Sequence, residues 1–231
     1  MNKTFNFFAI IISMMWFPIF AYANDDWAQL DIYAEANKQI MSQPDSLHNR
    51  VVLIGNSITE GWAKADPEFF SQNNFVGRGI SGQTTYQMLL RFREDVIDLI
   101  PEIVVINGGI NDIAENNYSY DEDRTFGNLV SMAQLAEANG INVIMTSVLP
   151  ADKIPWRKSI SNVPGKVKSL NDRIREYADD KGFPYIDYYA LMVSEGGALN
   201  PEYTKDGVHP TLEGYKTMEH IALPVIREAK E

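Results

Sequence analysis

Four short segments of the chain carry side chains that together could cleave an ester. Ser57 lies in GNSIT, Gly82 in GISGQ, Asn111 in GGIND, and Asp206 and His209 share DGVHP. A serine hydroxyl is a poor nucleophile near neutral pH and needs an adjacent base. Histidine, with an ordinary pKa near 6.5, suits that task, and a carboxylate would fix the imidazole tautomer and stabilise its charged form. These residue types therefore indicate acyl-transfer chemistry.

Each of these residues also has a structural explanation when it is taken alone. Ser57 could cap the turn that follows it, and Asn111 could serve a turn, because asparagine tolerates left-handed backbone. His209 could be a surface or packing residue, and Asp206 could cap the last helix. Their combination favours chemistry, since it supplies a nucleophile, a base and a carboxylate. One tight turn can aim Asp206 and His209 at the same place, because they lie three residues apart.

The other two histidines are weaker candidates for the base. His48 precedes the first predicted strand, at the amino end of the sheet. His220 lies inside the last predicted helix, about two and a half turns beyond the Asp206–His209 segment by helix geometry. We therefore expect His209 to be the base.

Short apolar runs alternate with helical patterns along the chain. Runs rich in β-branched residues and bounded by turn residues predict strands at 50–55, 75–79, 102–107, 142–148 and 184–188. Such runs are typical of parallel strands buried on both faces. Helical spacing of apolar residues predicts helices at 27–41, 85–99, 124–139, 163–180 and 211–230. The predicted fold class is α/β, a three-layer α/β/α sandwich with about five parallel strands.

The chemically capable residues fall at one edge of this predicted sheet. Ser57, Gly82 and Asn111 follow the first three strands, and the Asp206–His209 segment comes just before the last helix. In sheets of this kind, ligands bind at the carboxyl ends of the strands. We therefore expect these loops to converge on one site.

Together, these segments resemble the conserved blocks of the SGNH, or GDSL-like, hydrolases. IGNSITEGW is similar to the first block, with Asn56 where the family more usually has Asp, and Gly82, Asn111 and DGVHP match the other blocks in the family's order. The resemblance implies a flavodoxin-like SGNH hydrolase fold and a serine hydrolase that acts on carboxylic ester bonds.

The same resemblance implies a role for each site residue. Ser57 would be the nucleophile, His209 the base and Asp206 the residue that orients it. The backbone N–H groups of Ser57 and Gly82 and the side-chain amide of Asn111 would form the oxyanion hole. No metal and no cofactor is expected.

The substrate class is open to several interpretations. The segments around Ser57 and Gly82 look most like exported bacterial members that remove acetyl groups from carbohydrates, so a small-molecule or polysaccharide acetyl ester is expected. A lipid-directed acylhydrolase or thioesterase, similar to platelet-activating-factor acetylhydrolase or lysophospholipase, is the alternative, as is an inactive carbohydrate-binding module. The long loop 150–164 offers Trp156 and Arg157 as candidate substrate contacts, although Trp156 could instead pin the loop to the core.

Two other functions fit the sequence poorly. The segment GRGISG spells the dinucleotide fingerprint G-x-G-x-x-G, but it follows the second predicted strand, and the third ends at Asn107 without an acidic residue. An α/β-hydrolase would carry G-x-S-x-G at its nucleophile, whereas Thr59 occupies the final position here. We expect neither a nicotinamide cofactor nor that fold.

The N-terminal residues predict export. Residues 1–23 carry Lys3 near their start, continue through an apolar run broken by Pro18, and end in the small-x-small motif AYA. This pattern is typical of a cleaved signal peptide, with a retained membrane anchor as the alternative. Residues 24–231 would then form a single SGNH hydrolase domain, soluble in the periplasm or secreted.

Composition narrows the range of partners. The chain of 231 residues has no cysteine, which excludes disulfides, thiolate metal sites and a cysteine nucleophile. Its formal net charge of −11 at pH 7 argues against nucleic acid and against an anionic membrane surface. The sequence leaves the oligomeric state open.

Overall fold

The protein folds around a five-stranded parallel sheet. The computed structural model describes residues 26–42 and 49–230. The strands are β1 (Val51–Gly55), β2 (Phe75–Gly79), β3 (Ile103–Ile106), β4 (Asn142–Thr146) and β5 (Tyr185–Ile186). Their order is β2-β1-β3-β4-β5, and every neighbouring pair is parallel. This is the strand order of flavodoxin-like sheets, so the predicted fold class is confirmed.

Helices flank the sheet on both faces. In the described ranges they are α1 (Asp31–Met41), α2 (Ser57–Ala65), α3 (Pro67–Gln72), α4 (Thr85–Leu90), α5 (Phe92–Asp95), α6 (Ile110–Ile113), α7 (Glu122–Ala138), α8 (Val163–Lys181), α9 (Tyr188–Met192) and α10 (Leu212–Glu228). Helix α2 contacts α10, and α7 contacts α8. Because the strand order reverses at β1 and β3, right-handed crossovers put these two pairs on opposite faces.

The core lies between the sheet and the helices. Every residue of β1 and β3 is buried, as expected for parallel strands covered on both faces. Met88, Phe92 and Leu170, from the helices, are fully buried as well. This packing fixes the carboxyl ends of the strands, where the candidate site residues begin.

Helices α2 and α3 were absent from the sequence-based prediction. Asp66 ends α2 and caps α3, accepting a hydrogen bond from the Phe69 N–H at 3.1 Å, and Pro67 occupies the first turn of α3. The rings of Trp62 and Phe69 stack with centroids 5.7 Å apart. Two short helices joined at an Asp-Pro pair show too few turns for a clear helical period, which explains the omission.

The predicted helix at 85–99 is interrupted. The structure has α4, then α5, then a single turn of 3-10 helix at Ile97–Leu99. Arg91 leaves the helical conformation with φ −92° and ψ 3°, because its side chain reaches into the core rather than along the helix. The apolar spacing predicted the buried side of this segment correctly and its continuity wrongly.

The remaining boundaries differ by a few residues. The predicted strand at 184–188 ends at Ile186, because Asp187 caps α9 by accepting a hydrogen bond from the Ala190 N–H at 2.9 Å. Helix α1 begins at Asp31, and Asp26 accepts hydrogen bonds from the backbone just before it. The described helices include none with the length and apolar character that a bilayer crossing requires. The predicted signal peptide at 1–23 lies outside the described residues.

Candidate active site

Ser57 lies at the start of α2, directly beyond the carboxyl end of β1. Asn56 caps this helix, since its Oδ1 accepts a hydrogen bond from the Ile58 N–H at 3.0 Å. Ser57 is the first residue inside the helix, so its own N–H has no partner within the helix. The local sequence therefore presents a hydroxyl and a free N–H at the same position.

Gly79 allows α2 to approach β2 closely. A Cβ atom at this position would lie 2.1 Å from the Glu60 backbone nitrogen and 2.6 Å from the Asn56 carbonyl oxygen. A glycine is required there for packing, which accounts for part of the G-x-G-x-x-G pattern without any nucleotide. Gly82 has a different requirement, because its φ of +79° lies in the left-handed region.

Asp206 and His209 share a tight turn between α9 and α10. Gly207 adopts a φ of +89° within it. Asp206 Oδ1 accepts hydrogen bonds from the backbone N–H groups of Val208 at 2.9 Å and of His209 at 2.8 Å. Thr204 Oγ1 donates to the His209 carbonyl at 2.8 Å and accepts from the Gly207 N–H at 3.0 Å. These bonds fix the direction of both functional side chains.

A continuous chain of hydrogen bonds joins three of the sequence-predicted residues. Ser57 Oγ lies 3.0 Å from His209 Nε2, and His209 Nδ1 lies 2.7 Å from Asp206 Oδ2. If Nδ1 carries the proton that it shares with the carboxylate, Nε2 is free to accept the proton of the serine hydroxyl. The arrangement can therefore activate Ser57 as a nucleophile.

Asp206 keeps its negative charge well below neutral pH. Partial burial raises its pKa, but the backbone N–H of His209, the imidazole and the backbone N–H of Val208 outweigh burial and lower the pKa to about 2. An ionised carboxylate at this position can hold the imidazole and stabilise its protonated form.

Ser57, Gly82 and Asn111 each carry an N–H group that has no protein acceptor in the described residues. Asn111 is only 2% exposed, and its Nδ2 donates one hydrogen to the Gln83 carbonyl at 2.9 Å, which leaves the second amide hydrogen available. Within the described ranges, the backbone N–H groups of Ser57 and Gly82 donate to no protein acceptor. Each of these three residues thus has one unused N–H group in the described structure, and the bond to the Gln83 carbonyl joins Asn111 to the loop that carries Gly82.

The loop that carries Gly82 is anchored by side chains that sequence reasoning missed. The Glu60 carboxylate accepts hydrogen bonds from the Ser81 N–H at 2.7 Å and from the Ser81 hydroxyl. On the other side, Gln83 Oε1 accepts a hydrogen bond from Arg91 Nε at 2.6 Å. Residues adjoining Gly82 on both sides are therefore fixed to different parts of the fold, one to α2 and the other to Arg91 between α4 and α5.

Arg91 connects this loop to the end of β1. Its side chain is fully buried, donates to the Gly55 carbonyl at 2.8 Å and pairs with Asp95 at 2.8 Å. Burial lowers the pKa of the guanidinium, and Asp95 opposes that shift. Opposite charges four residues apart on the apolar side of a predicted helix were the signal that could have identified this pair.

Asp112 ties the Asn111 segment to the start of α4. Its fully buried carboxylate accepts hydrogen bonds from the Thr85 N–H at 3.0 Å, from Thr85 Oγ1 at 2.6 Å and from the Tyr118 hydroxyl. Burial raises the pKa of Asp112 and these hydrogen bonds oppose the shift. The neighbouring Asn111 therefore sits on a rigid turn.

The two candidate substrate contacts differ in their surroundings. The Trp156 ring lies beside the His209 ring, with centroids 5.6 Å apart and planes inclined by 34°, and it is 43% exposed. The side chain of Arg157 has no hydrogen bond or ion pair with another described residue; its backbone N–H donates to the Ile154 carbonyl at 3.0 Å. The structure brings Trp156 to the site and shows no such contact for Arg157.

The remaining histidines lie elsewhere or outside the description. His220 lines a surface cavity with Phe69, Leu223 and Arg227, none of which is a candidate site residue. His48 is not among the described residues. In those residues, no group of three or more His, Asp or Glu side chains is arranged to hold a metal ion.

Comparison with known proteins gives a consistent set of similarities. The model of the GDSL-like lipase/acylhydrolase family matches residues 53–217. The crystal structure of a GDSL-like lipase from Bacteroides thetaiotaomicron VPI-5482 is 56% identical, covers 87% of this chain and 98% of its own, and superposes with a TM-score of 0.85.

Two curated relatives are more distant. An acetylxylan esterase from Xylanibacter ruminicola is 26% identical in an alignment 218 positions long that covers 77% of this chain and 43% of that protein. An N-acylneuraminate cytidylyltransferase from Escherichia coli is 23% identical in an alignment 211 positions long that covers 86% of this chain and 48% of that protein. The chain thus spans about half the length of the curated relatives it matches.

Proposed function

The chain belongs to the GDSL-like lipase/acylhydrolase family, and on that premise we propose that it is a serine esterase working through an acyl-enzyme. The observation that carries the proposal is the unbroken hydrogen-bond chain from Asp206 through His209 to Ser57. Nucleophile, base and orienting carboxylate are the parts that acyl transfer from an ester requires.

In the first half of the reaction, Ser57 Oγ attacks the ester carbonyl carbon and its proton passes to His209 Nε2. The carbonyl oxygen becomes an oxyanion, stabilised by the N–H groups of Ser57 and Gly82 and by the Asn111 amide. When the C–O bond to the alcohol breaks, His209 returns the proton to the departing oxygen. The acyl group remains on Ser57 and the alcohol leaves.

In the second half, water replaces the alcohol. His209 Nε2 takes a proton from the water as its oxygen attacks the acyl carbon, and the same donors stabilise the second oxyanion. Collapse breaks the bond to Ser57 Oγ, which recovers its proton from His209 and releases the carboxylic acid. Asp206 stays ionised throughout and stabilises the imidazolium in both steps.

For the substrate, we propose an acetyl ester of a carbohydrate. The acetylxylan esterase relative supports this class, and so does the half-exposed Trp156, whose flat face next to His209 suits a sugar ring. We retain Arg157 as a candidate contact because it has no described partner that would occupy it. A lipid-directed acylhydrolase is the second candidate, favoured by the GDSL-like lipase that is 56% identical.

Replacement of the nucleophile tests the enzyme class. Ser57→Ala should abolish acetate release and leave thermal unfolding essentially unchanged, and a serine-directed phosphonate should label Ser57 in the wild-type protein. Ser71→Ala is the matched control, because Ser71 is an exposed serine whose hydroxyl donates to the Glu68 carbonyl and to no other group in the described residues. Near-wild-type esterase activity in Ser57→Ala would refute the assignment. An inactive binding module would instead bind glycans with no turnover to lose.

A substrate panel tests the finer proposal. Acetate release from acetylated xylan and other acetylated glycans should exceed hydrolysis of lysophospholipids and long-chain thioesters. The reverse order would favour the lipid-directed alternative.

We also propose export through a signal peptide at residues 1–23, followed by a single domain at 24–231. Mass determination of the protein recovered from its native host tests this, since it should begin at Asn24.

A further inference from the structure

Asn116 joins three segments of the candidate site. Its backbone N–H donates to the Asn111 carbonyl at 3.1 Å. Its side-chain Nδ2 donates to the Gly82 carbonyl at 3.0 Å, and its Oδ1 accepts a hydrogen bond from Trp156 Nε1 at 3.0 Å. One short side chain therefore connects the Gly82 loop with the long loop that carries Trp156.

The orientation of the Asn116 amide is settled by its partners. A carbonyl oxygen can only accept a hydrogen bond and an indole N–H can only donate one. Reversing the amide would set an oxygen against the Gly82 carbonyl and an NH₂ group against the Trp156 N–H. Both partners thus require the same rotamer, and the amide holds Trp156 in a defined position.

Trp156 lies on the side of the site where the alcohol leaves. In the proposed reaction His209 gives its proton to the departing alcohol oxygen, so the alcohol must lie close to that imidazole. In the same reaction the carbonyl oxygen of the ester is held by the N–H groups of Ser57, Gly82 and Asn111 rather than by the imidazole. A ring beside His209, at 5.6 Å between centroids, can therefore contact the alcohol part of the ester.

We propose that Asn116 is a positioning residue that sets the selectivity for the alcohol part of the substrate. By holding Trp156 as a flat wall beside His209, it favours esters of rigid, ring-shaped alcohols over esters of small flexible alcohols. The inference rests on the proposed esterase function. It adds that the wall is fixed to the Gly82 loop through one amide.

The exposure of these groups separates this role from a purely structural one. Trp156 is 43% exposed, and its bond to Asn116 is open to solvent. Removing an exposed hydrogen bond changes stability little. The effect of Asn116 should therefore appear in substrate selectivity and not in thermal unfolding.

Two acetyl esters measure the selectivity. One is methyl tri-O-acetyl-xylopyranoside, which has a ring alcohol, and the other is ethyl acetate. The readout is the ratio of kcat/KM for the xyloside to kcat/KM for ethyl acetate. Changes that affect the Gly82 loop alter both reactions, so the ratio isolates the wall. The wild-type protein should prefer the xyloside.

Asn116→Ala and Trp156→Phe should each lower this ratio. Trp156→Phe keeps an aromatic ring and removes only the N–H that Asn116 accepts. A hydrogen bond is typically worth about 0.5–1.5 kcal/mol, which corresponds to a fall of about 2–12-fold. Both changes release the same wall. The selectivity ratio of the double variant should therefore lie no more than about twofold below the ratio of the Trp156→Phe variant.

Matched controls come from other parts of the described chain. Asn139→Ala removes an exposed amide bond to the Leu135 carbonyl, and Trp27→Phe changes a tryptophan that is 45% exposed. Both should leave the ratio unchanged.

The possible results distinguish the positioning role of Asn116 from the proposed esterase function. An unchanged ratio in the Asn116 and Trp156 variants, losses that multiply in the double variant, or a wild-type preference for ethyl acetate would overturn the positioning role. These results would leave the esterase proposal intact as long as Ser57→Ala is inactive. A wild-type protein that hydrolyses neither ester would overturn the carbohydrate-ester proposal and, with it, the positioning role, while phosphonate labelling of Ser57 would still test the esterase class.

Discussion

Asn111→Ala is the most informative substitution at the proposed oxyanion hole. The amide has two hydrogens, of which one is bonded to the Gln83 carbonyl and the other is free for the substrate. Truncation therefore removes one catalytic donor and one structural bond at the same time. The two losses have different sizes and are measured separately.

The catalytic loss should dominate. A donor aimed at developing charge acts more strongly on the transition state than on the bound substrate. Removing one such donor typically lowers kcat by about 10²–10³, or roughly 2.7–4 kcal/mol, with KM nearly unchanged. The structural loss is one buried hydrogen bond, about 1 kcal/mol, which lowers Tm by about 2–4 °C in a domain of this size. Asn111→Asp should be at least as harmful, because its charge would oppose the oxyanion.

Asn171→Ala provides the matched control. Asn171 is also a buried helical asparagine, and its amide bonds the Val148 N–H at 2.8 Å and the Val148 carbonyl at 3.0 Å. The Asn171→Ala protein should lose at least as much stability as the Asn111→Ala protein and should keep the wild-type kcat. Steady-state kinetics on an acetyl ester and thermal melts of both variants decide the matter. A folded Asn111→Ala protein whose kcat stays within about threefold of wild type would refute the oxyanion assignment.

Three further predictions follow from glycine conformation, from the role of Asp206 and from a carboxylate pKa shift. Gly82 and Gly140 both have positive φ, and a Cβ atom added at either would meet no neighbouring atom. Gly82→Ala and Gly140→Ala should therefore each cost only the backbone strain, about 1–2 kcal/mol of stability, but only Gly82→Ala should lower kcat. Asp206→Asn should lower kcat by about 10⁴, because the imidazole tautomer is no longer fixed; a kcat within about tenfold of wild type in steady-state kinetics would contradict this. The Lys216 hydrogen bond lowers the pKa of Asp66 below its ordinary 3.8, so that pair stabilises the fold above this pH and loses its effect as the pH falls. Lys216→Met should therefore lower Tm at pH 7, and melts near pH 2 should show the difference from wild type shrinking; an equal difference at both pH values would refute the linkage.

The sheet was predictable from the sequence because its signal is local. Five apolar runs gave the five strands, and each boundary was correct to within two residues. The helices were harder, because their ends depend on contacts that spacing does not show. Arg91 interrupts the segment 85–99 in order to reach the Gly55 carbonyl, a contact between residues 36 positions apart. No helical period contains that information.

In the candidate site, too, some residues could be predicted from local sequence and others depend on contacts between distant parts of the chain. Ser57 could be selected by its position after the first strand, and Asp206 and His209 by residue type and spacing before the last helix. The structure joins Ser57 to His209 and His209 to Asp206 by hydrogen bonds. The side chains that support them could not be selected in this way. Glu60 lies in the IGNSITEGW segment, but neither its residue type nor its position assigns it a partner, and Asn116 lies outside the four matched segments. The partners of both residues come from distant parts of the chain.

The supporting residues explain why donors on flexible-looking loops can serve catalysis. A donor stabilises an oxyanion best when it is already in place, because moving it into position would cost free energy during the reaction. Glu60 holds Ser81 from α2, Arg91 holds Gln83 from the core, and Asp112 holds the start of α4. The loop that carries Gly82 is thus fixed by carboxylate and guanidinium groups, whose hydrogen bonds are stronger than those between neutral groups. A site built this way depends on the charged groups around it as well as on its three reactive residues, so substitutions at Glu60, Arg91 or Asp112 should lower kcat although these side chains do not touch the substrate.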